Sequence, residues 1–409
     1  MQVFNARHFL RHIGMPTLQE FTTAHVLGPR LSIDWSRPAA TLPAVVADAV
    51  DGIALALRDP ALAASARRAL EQDWWLWHDD LRRAHLMANG LAIQEFRHAG
   101  ADDALAAAAF AVRDEREIAL WMLAHREPTF RAAELHLAFQ ARANGKYWQQ
   151  HRILPHLEPT RDRAQLETFG HEVAKVYQKV GAGAGVHVEI SDRAADDSVQ
   201  LTLYVEGPVT ALAQFAQNSF TRLTTRIALE TAIVYRPACG TVETIVKGGA
   251  RNHAAVLQLF GQHVVGQELA PQAIARRRFR LNALRDGVLE PGADWSRHGV
   301  EKVRLRRVLC CPLGQTGVGI QVVASPAKEQ DDALQAALRT LQVAHAFAAE
   351  YNLEGATLIV YLLPAGAGQG RHFSFDVSAS GSSTIRNLSA PNQLIATAVL
   401  RALHVMDAA

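Results

Sequence analysis

A chain of 409 residues, 49% hydrophobic and 20% charged, is long enough for two or three domains and too apolar for a disordered protein. A formal net charge of +2 excludes a molecule whose whole surface seeks nucleic acid or membrane, so any basic function has to be local. Three cysteines, two of them adjacent (Cys239, Cys310, Cys311), exclude a disulfide framework. Only 6 of the 42 basic residues are lysine, as in a GC-rich bacterial genome, which weakens any case that one arginine was selected over lysine.

Residues 1–14 carry charges where a signal peptide needs an apolar core. The alanine-rich run 104–112 falls well short of the roughly 20 residues that span a bilayer. The expectation is a cytoplasmic protein. From the start to about Lys179 the pattern is helical, with Asp59-Pro60 and Glu127-Pro128 as helix-start signals. Trp74, Trp77, Leu81 and Leu86 recur at helical spacing. They predict either a core face or, through Trp74 and Trp77, a surface for a protein partner or for self-association.

After the glycine-rich residues 181–185 the texture becomes strand-like. Residues 186–190 and 201–205 read as strands, and Gly207-Pro208 opens a stretch read as helix to about Phe220. Residues 226–235 and 241–246 read as a hairpin, with a helix over 250–265. Residues 276–281 read as a strand, followed by an irregular stretch over 286–299. Two further hairpins are expected, 303–311 with 318–323 and 356–363 with 371–377. Helices over 325–350 and 391–403 follow them. The expected class is therefore α+β. An all-α domain over 1–180 precedes an antiparallel-sheet α+β domain over 181–409 of about four hairpin-plus-helix units, divisible into halves 181–285 and 300–409.

Most catalytic signatures are missing: no G-x-S-x-G, C-x-x-C, H-E-x-x-H or Walker loop occurs. The pair His78-Asp79, with His85 two turns on, is the pattern that metal-dependent phosphohydrolases of the HD type use on a helix, since nitrogen and oxygen ligands together suit hard or borderline cations. His12 or His25 would be the upstream ligand and Asp114 the distant one. The competing reading is a solvated polar edge beside the tryptophan stripe. Cys310 and Cys311 should point to opposite strand faces, one of them into the core, and Cys239 reads as an exposed turn residue.

The most informative constellation is basic. Between residues 275 and 308 ten basic residues face four acids, a local excess of +6. Alternation places Arg276, Arg278 and Arg280 on one strand face and Lys302, Arg304 and Arg306 on another, with Val303 and Leu305 turned the opposite way. If the two strands are neighbours, six cations share one face and attract phosphates. Apart from Phe279 no aromatic is interleaved, which argues against base stacking. The competing reading pairs these cations with Glu189, Glu230 and Glu243. A second anion site is expected where Lys247-Gly248-Gly249 enters a helix, supplemented by Arg251 and His253.

These readings predict a non-catalytic subunit, without cofactor, that contacts nucleic acid or another polyanion through a basic sheet face and protein partners through its helical domain. The alternatives are a metal-dependent phosphohydrolase centred on His78 and Asp79, with His85 as a further ligand, and a protein–protein scaffold.

Overall fold

The computed structural model describes residues 4–143, 145–216, 219–274, 278–286, 295, 298–313, 318–323, 351–364 and 371–406. The expected helix over 325–350 and the expected site residue Arg276 lie outside the described residues. The chain is α+β, helical first and rich in antiparallel strands later. It divides into two compact units that alternate along the sequence. The first comprises Met1–Phe139, Leu154–Gly240 and Ala254–Leu269; the second comprises Gln140–Ile153, Thr241–His253 and Ala270–Ala409.

In the first unit, helices such as Met15–Ala24, Leu42–Ala56, Ala64–Met87, Gly90–Ala99 and Glu115–His125 gather round one apolar core. Two of them start on side chains that satisfy otherwise orphaned amides. Asn89 accepts from Leu91 and Ala92, and Asp114 forms a capping box with Glu117. The helix expected to begin at Asp59-Pro60 begins instead at Ala64, after a turn in which Asp59 accepts from the Ala61 amide. Trp77 and Leu81 enter the core, whereas Leu86, placed with them by spacing, is exposed. The stretch Ala39–Ala56 has a mean hydropathy of 1.5 over 18 residues, long and apolar enough on composition to cross a membrane. In the fold it buries Leu42, Val46, Ala47 and Val50 against the other helices, while Asp48 and Asp51 both accept from Arg7.

The sheet of this unit runs β2 (Val186–Arg193), β3 (Ser198–Val205), β6 (Leu229–Arg236), with β3 central and antiparallel to both. Helix Arg163–Tyr177 packs on β2 at Gly170, where an added Cβ would come within 2.9 Å of Val188 Cγ2, so only glycine permits the approach. The stretch after Gly207-Pro208 is not helical. It forms strand β4 (Val209–Ala216), paired with β5 (Ser219–Arg226) from Val209↔Arg226 to Ala216↔Ser219. The Gly207-Pro208 start suggested helix there; the threonine-rich partner strand decides otherwise by pairing with it.

In the second unit, β1 (Trp148–Arg152) lies between β7 (Thr241–Ile245) and the short β8 (Gln272–Ala273). This β1 strand interrupts a region read from sequence as wholly helical. A separate four-stranded antiparallel sheet has the order β10 (Ile320–Val323), β9 (Val300–Pro312), β11 (Tyr351–Leu362), β12 (His372–Ser378). Both expected hairpins of this region, 303–311 with 318–323 and 356–363 with 371–377, are present as paired strands. One face of the sheet is apolar: Val303, Leu305, Val308, Cys310, Leu358, Val360, Phe375 and Val377 form a core with Ala396, Val399 and Leu400 of helix Ala390–Ala402. The expected strand over 276–281 is absent from its described part. Residues 278–280 are irregular and lead into the 3-10 turn Leu281–Asp286, with Phe279 and Leu281 joining the core.

Candidate functional site

The basic strand β9 pairs along its length with β11, and β11 with β12, so the register places side chains of three strands in rows on the outer face. Tyr361 lies opposite Lys302 and His372, Ile359 opposite Arg304 and Ser374, and Thr357 opposite Arg307 and Asp376. As alternation predicts, Val303 and Leu305 are buried on the inner face while Lys302 and Arg304 turn outward. Beyond Leu305 the pattern changes. Leu305 pairs with Leu358 but Arg307 with Thr357, so Arg306 is the extra residue of a β-bulge. The third outward position of the row therefore belongs to Arg307, and Arg306 projects exposed from the bulge.

The rows differ in chemistry. Lys302 Nζ sits 5.5 Å from the centroid of the Tyr361 ring, whose neighbour His372 lies 5.7 Å away centroid to centroid. An ammonium over a ring face is held by the ring quadrupole. Arg307 donates from Nε to Thr357 Oγ1 at 3.0 Å and from Nη2 to Asp376 Oδ1 at 2.9 Å, so its charge is matched within the sheet. Tyr361 and Ile359 are each only 7% exposed, so the rings of this face are covered. Sequence reading expected no aromatic on this face, because Tyr361 and His372 arrive from strands distant in sequence.

Arg278 and Arg280 are exposed, but no strand pairing among the described residues puts them in register with Lys302 and Arg304. Two of the three acids expected to neutralise the basic face are engaged elsewhere: Glu189 pairs with Arg131 at 3.0 Å and Glu243 with Arg386 at 2.9 Å. At the second expected anion site, Lys247 and Arg251 are exposed and Gly248 and Gly249 adopt positive φ of 101° and 81°. The Gly249 carbonyl accepts from the Asn252 and His253 amides, and the Asn252 side chain donates to the Lys247 carbonyl. His253 is buried on Thr244 Oγ1 at 2.7 Å, so it does not supplement an anion site.

His78, Asp79 and His85 take different partners. The His78 ring stands 4.4 Å from Trp74, Asp79 pairs with Arg82 at 2.7 Å, and His85 packs against the Phe4 and Phe9 rings. Among the described residues no group of three or more His, Cys, Asp or Glu is arranged to hold a metal ion. His78 borders a cavity of about 440 Å³ with Phe4, Arg7, Asp51 and Trp75, and its Nε2 is buried without a hydrogen-bond partner among the described residues. The three cysteines are free thiols: Cys310 is in the core, Cys311 half-buried on the other strand face, and Cys239 exposed in its turn.

Burial pushes the His78 imidazole below its ordinary value of 6.5, opposed in part by Asp51, and burial does the same to His151 on β1. Both are therefore neutral in the folded protein at a pH where the unfolded chain begins to protonate. Their contribution to stability is fully present above the unfolded value and is lost as pH falls through the folded one. The urea midpoint is expected to fall between about pH 7.5 and about pH 5.5, with a smaller fall in the His78→Gln/His151→Gln variant. An unchanged slope in that variant would assign the pH dependence to other groups.

One buried acid was not singled out by its sequence pattern. Glu243 lies in β7 and is fully buried; its Oε2 accepts from Trp148 Nε1 at 2.8 Å and from Arg386 Nη1 at 2.9 Å. The only signal for it is a carboxylate inside the apolar run Val242-Glu243-Thr244-Ile245-Val246. Neither a family model nor a curated protein matches this sequence, so function rests on the chemistry of these residues.

Proposed function

We propose that the protein is a non-catalytic binding subunit that holds a polyanion, nucleic acid foremost, on the outer face of β9, with protein partners on its helical unit. The observation that carries this reading is the row of Lys302, Arg304 and Arg306 along one strand whose own sequence offers a single acid, Glu301. With Tyr361 and Ile359 covered, binding runs through phosphates and is insensitive to base sequence. A cytoplasmic location suits three free thiols.

Fluorescence anisotropy of a labelled 20-mer over a salt titration tests the proposal. The logarithm of affinity should fall linearly with that of salt, each phosphate contacted contributing about 0.7–0.9 to the slope. The Lys302→Glu/Arg304→Glu/Arg306→Glu variant should lose that binding. If the unmodified protein binds neither DNA nor RNA at low ionic strength, the reading fails.

A second reading, a scaffold that binds other proteins only, is favoured by helix Ala64–Met87, which exposes 58% of Trp75 and 43% of Leu76 side by side. Stable oligomers that Trp75→Ala disperses, without polyanion binding, would favour it over the first.

A further inference from the structure

The second unit contains a cavity of about 540 Å³ at the end of the four-stranded sheet, within the usual range for small-molecule sites. Its lining differs from that of the cavity beside His78. Here carboxylates (Glu354, Asp376), amides (Gln321, Asn387) and hydroxyls (Ser382, Ser383) converge, with Arg307 at one side. Asp376 uses Oδ1 for Arg307 and Thr357, and no described residue bonds its Oδ2. The side chains of Glu354, Gln321, Asn387, Ser382 and Ser383 likewise make no hydrogen bond to any described residue. The fold has thus gathered acceptors and donors in one concavity without a side-chain partner among the described residues.

Charge selects among ligands. One arginine faces two carboxylates, so an anion is repelled from the cavity itself, while the amides and hydroxyls beside them match a hydroxyl-rich molecule. A carboxylate accepts from two adjacent hydroxyls at once, while amide N–H groups and serine hydroxyls donate to ring and hydroxyl oxygens. We infer that this cavity binds a sugar ring through a vicinal diol, as presented by the ribose of a nucleoside or by a hexose. Asp376, held in orientation by Arg307 and Thr357, and Glu354 are the diol acceptors; Gln321 and Asn387 are donors. This inference does not rest on the polyanion reading, because its ligand is neutral and its acceptors lie outside the row Lys302, Arg304, Arg306.

Isothermal titration of the full chain with adenosine, 2′-deoxyadenosine and methyl glucopyranoside tests it. Adenosine binding with a clear loss for the 2′-deoxy analogue assigns a ribose; glucoside binding alone assigns a hexose. Either result supports a diol site. Glu354→Gln, which breaks no internal bond, should weaken the bound ligand about tenfold, as removal of a charged hydrogen-bond partner does. Asp376→Asn should weaken it similarly. The Lys302→Glu/Arg304→Glu/Arg306→Glu variant should keep sugar binding unchanged, so loss of polyanion binding and loss of sugar binding are separable. The inference is overturned if neither adenosine nor the glucoside binds. It is also overturned if only the nucleosides bind and the two do so equally, or if Glu354→Gln leaves affinity unaltered.

Discussion

Replacing Arg386 with alanine should lower folding stability by about 2–3 kcal/mol, because it takes a cation away from the buried carboxylate of Glu243. The Glu243 side chain is 1% exposed, and the cation that matches it comes from the 3-10 turn Ile385–Asn387. The Arg386 guanidinium also lies 5.7 Å from the centroid of the Trp148 ring, so the substitution removes packing as well as charge. Breaking a buried pair by deleting one partner costs about 3–5 kcal/mol in general. The lower figure follows from Arg386 being 39% exposed, which lets water reach the vacated position. Glu243→Gln, which keeps an acceptor for the Trp148 indole N–H and removes the buried charge, should cost less, about 1 kcal/mol. Urea unfolding at constant m-value measures both. A loss for Arg386→Ala smaller than that for Glu243→Gln would show that the charge pair does not hold this corner together.

Trp77→Ala carries the largest cost expected in the helical unit, about 3–5 kcal/mol. Trp77 is 1% exposed and packs against Phe21 and His25 at centroid distances of 4.9 and 5.1 Å. Its removal leaves a cavity among Phe21, Leu81 and their neighbours, which fixed helices cannot close. Trp75→Ala, two positions earlier on the same helix but outward, should change stability by no more than about 0.5 kcal/mol. The contrast separates core from surface within one helix. An oligomer that survives Trp75→Ala but falls apart on Trp77→Ala would reflect unfolding, so oligomeric state and unfolding midpoint need to be measured on the same samples.

Sequence patterning read the helical unit and the later sheet well because both signals are local. Helical spacing put Trp77 and Leu81 in a core. It also placed Leu86 there, because spacing alone does not say how wide the buried stripe is. The hairpins of β9 with β10 and β11 with β12 were legible from runs of alternating or apolar residues, which need no knowledge of the partner. The stretch after Gly207-Pro208 was misread for the complementary reason. The local sequence does not announce a strand, and only pairing with residues 219–226 makes it one.

The bulge at Arg306 stood half-way. Buried residues fall at 303 and 305 and then at 308 and 310, a change of parity that the sequence displays. Reading it as a bulge requires the opposing strand, in which Thr357 and Leu358 are consecutive. Without the bulge, Arg307 would point into the core and Asp376 would have no partner opposite Thr357.

What the sequence determined by itself, then, was the α+β class and the outward turn of Lys302 and Arg304, because strand side chains alternate whatever the strand pairs with. Everything that depends on who stands opposite was decided by tertiary structure. Tyr361 and His372 join the basic row and Asp376 neutralises Arg307 through the register of β9, β11 and β12, and the polar groups of the diol cavity converge from β10, β11, β12 and the residues after β12. The same holds for Glu243, whose partners Trp148 and Arg386 lie 95 and 143 residues away along the chain. The physical reason is one of range. Backbone sterics and side-chain alternation act over a few residues, whereas hydrogen bonds and charge pairs form wherever folding brings groups together.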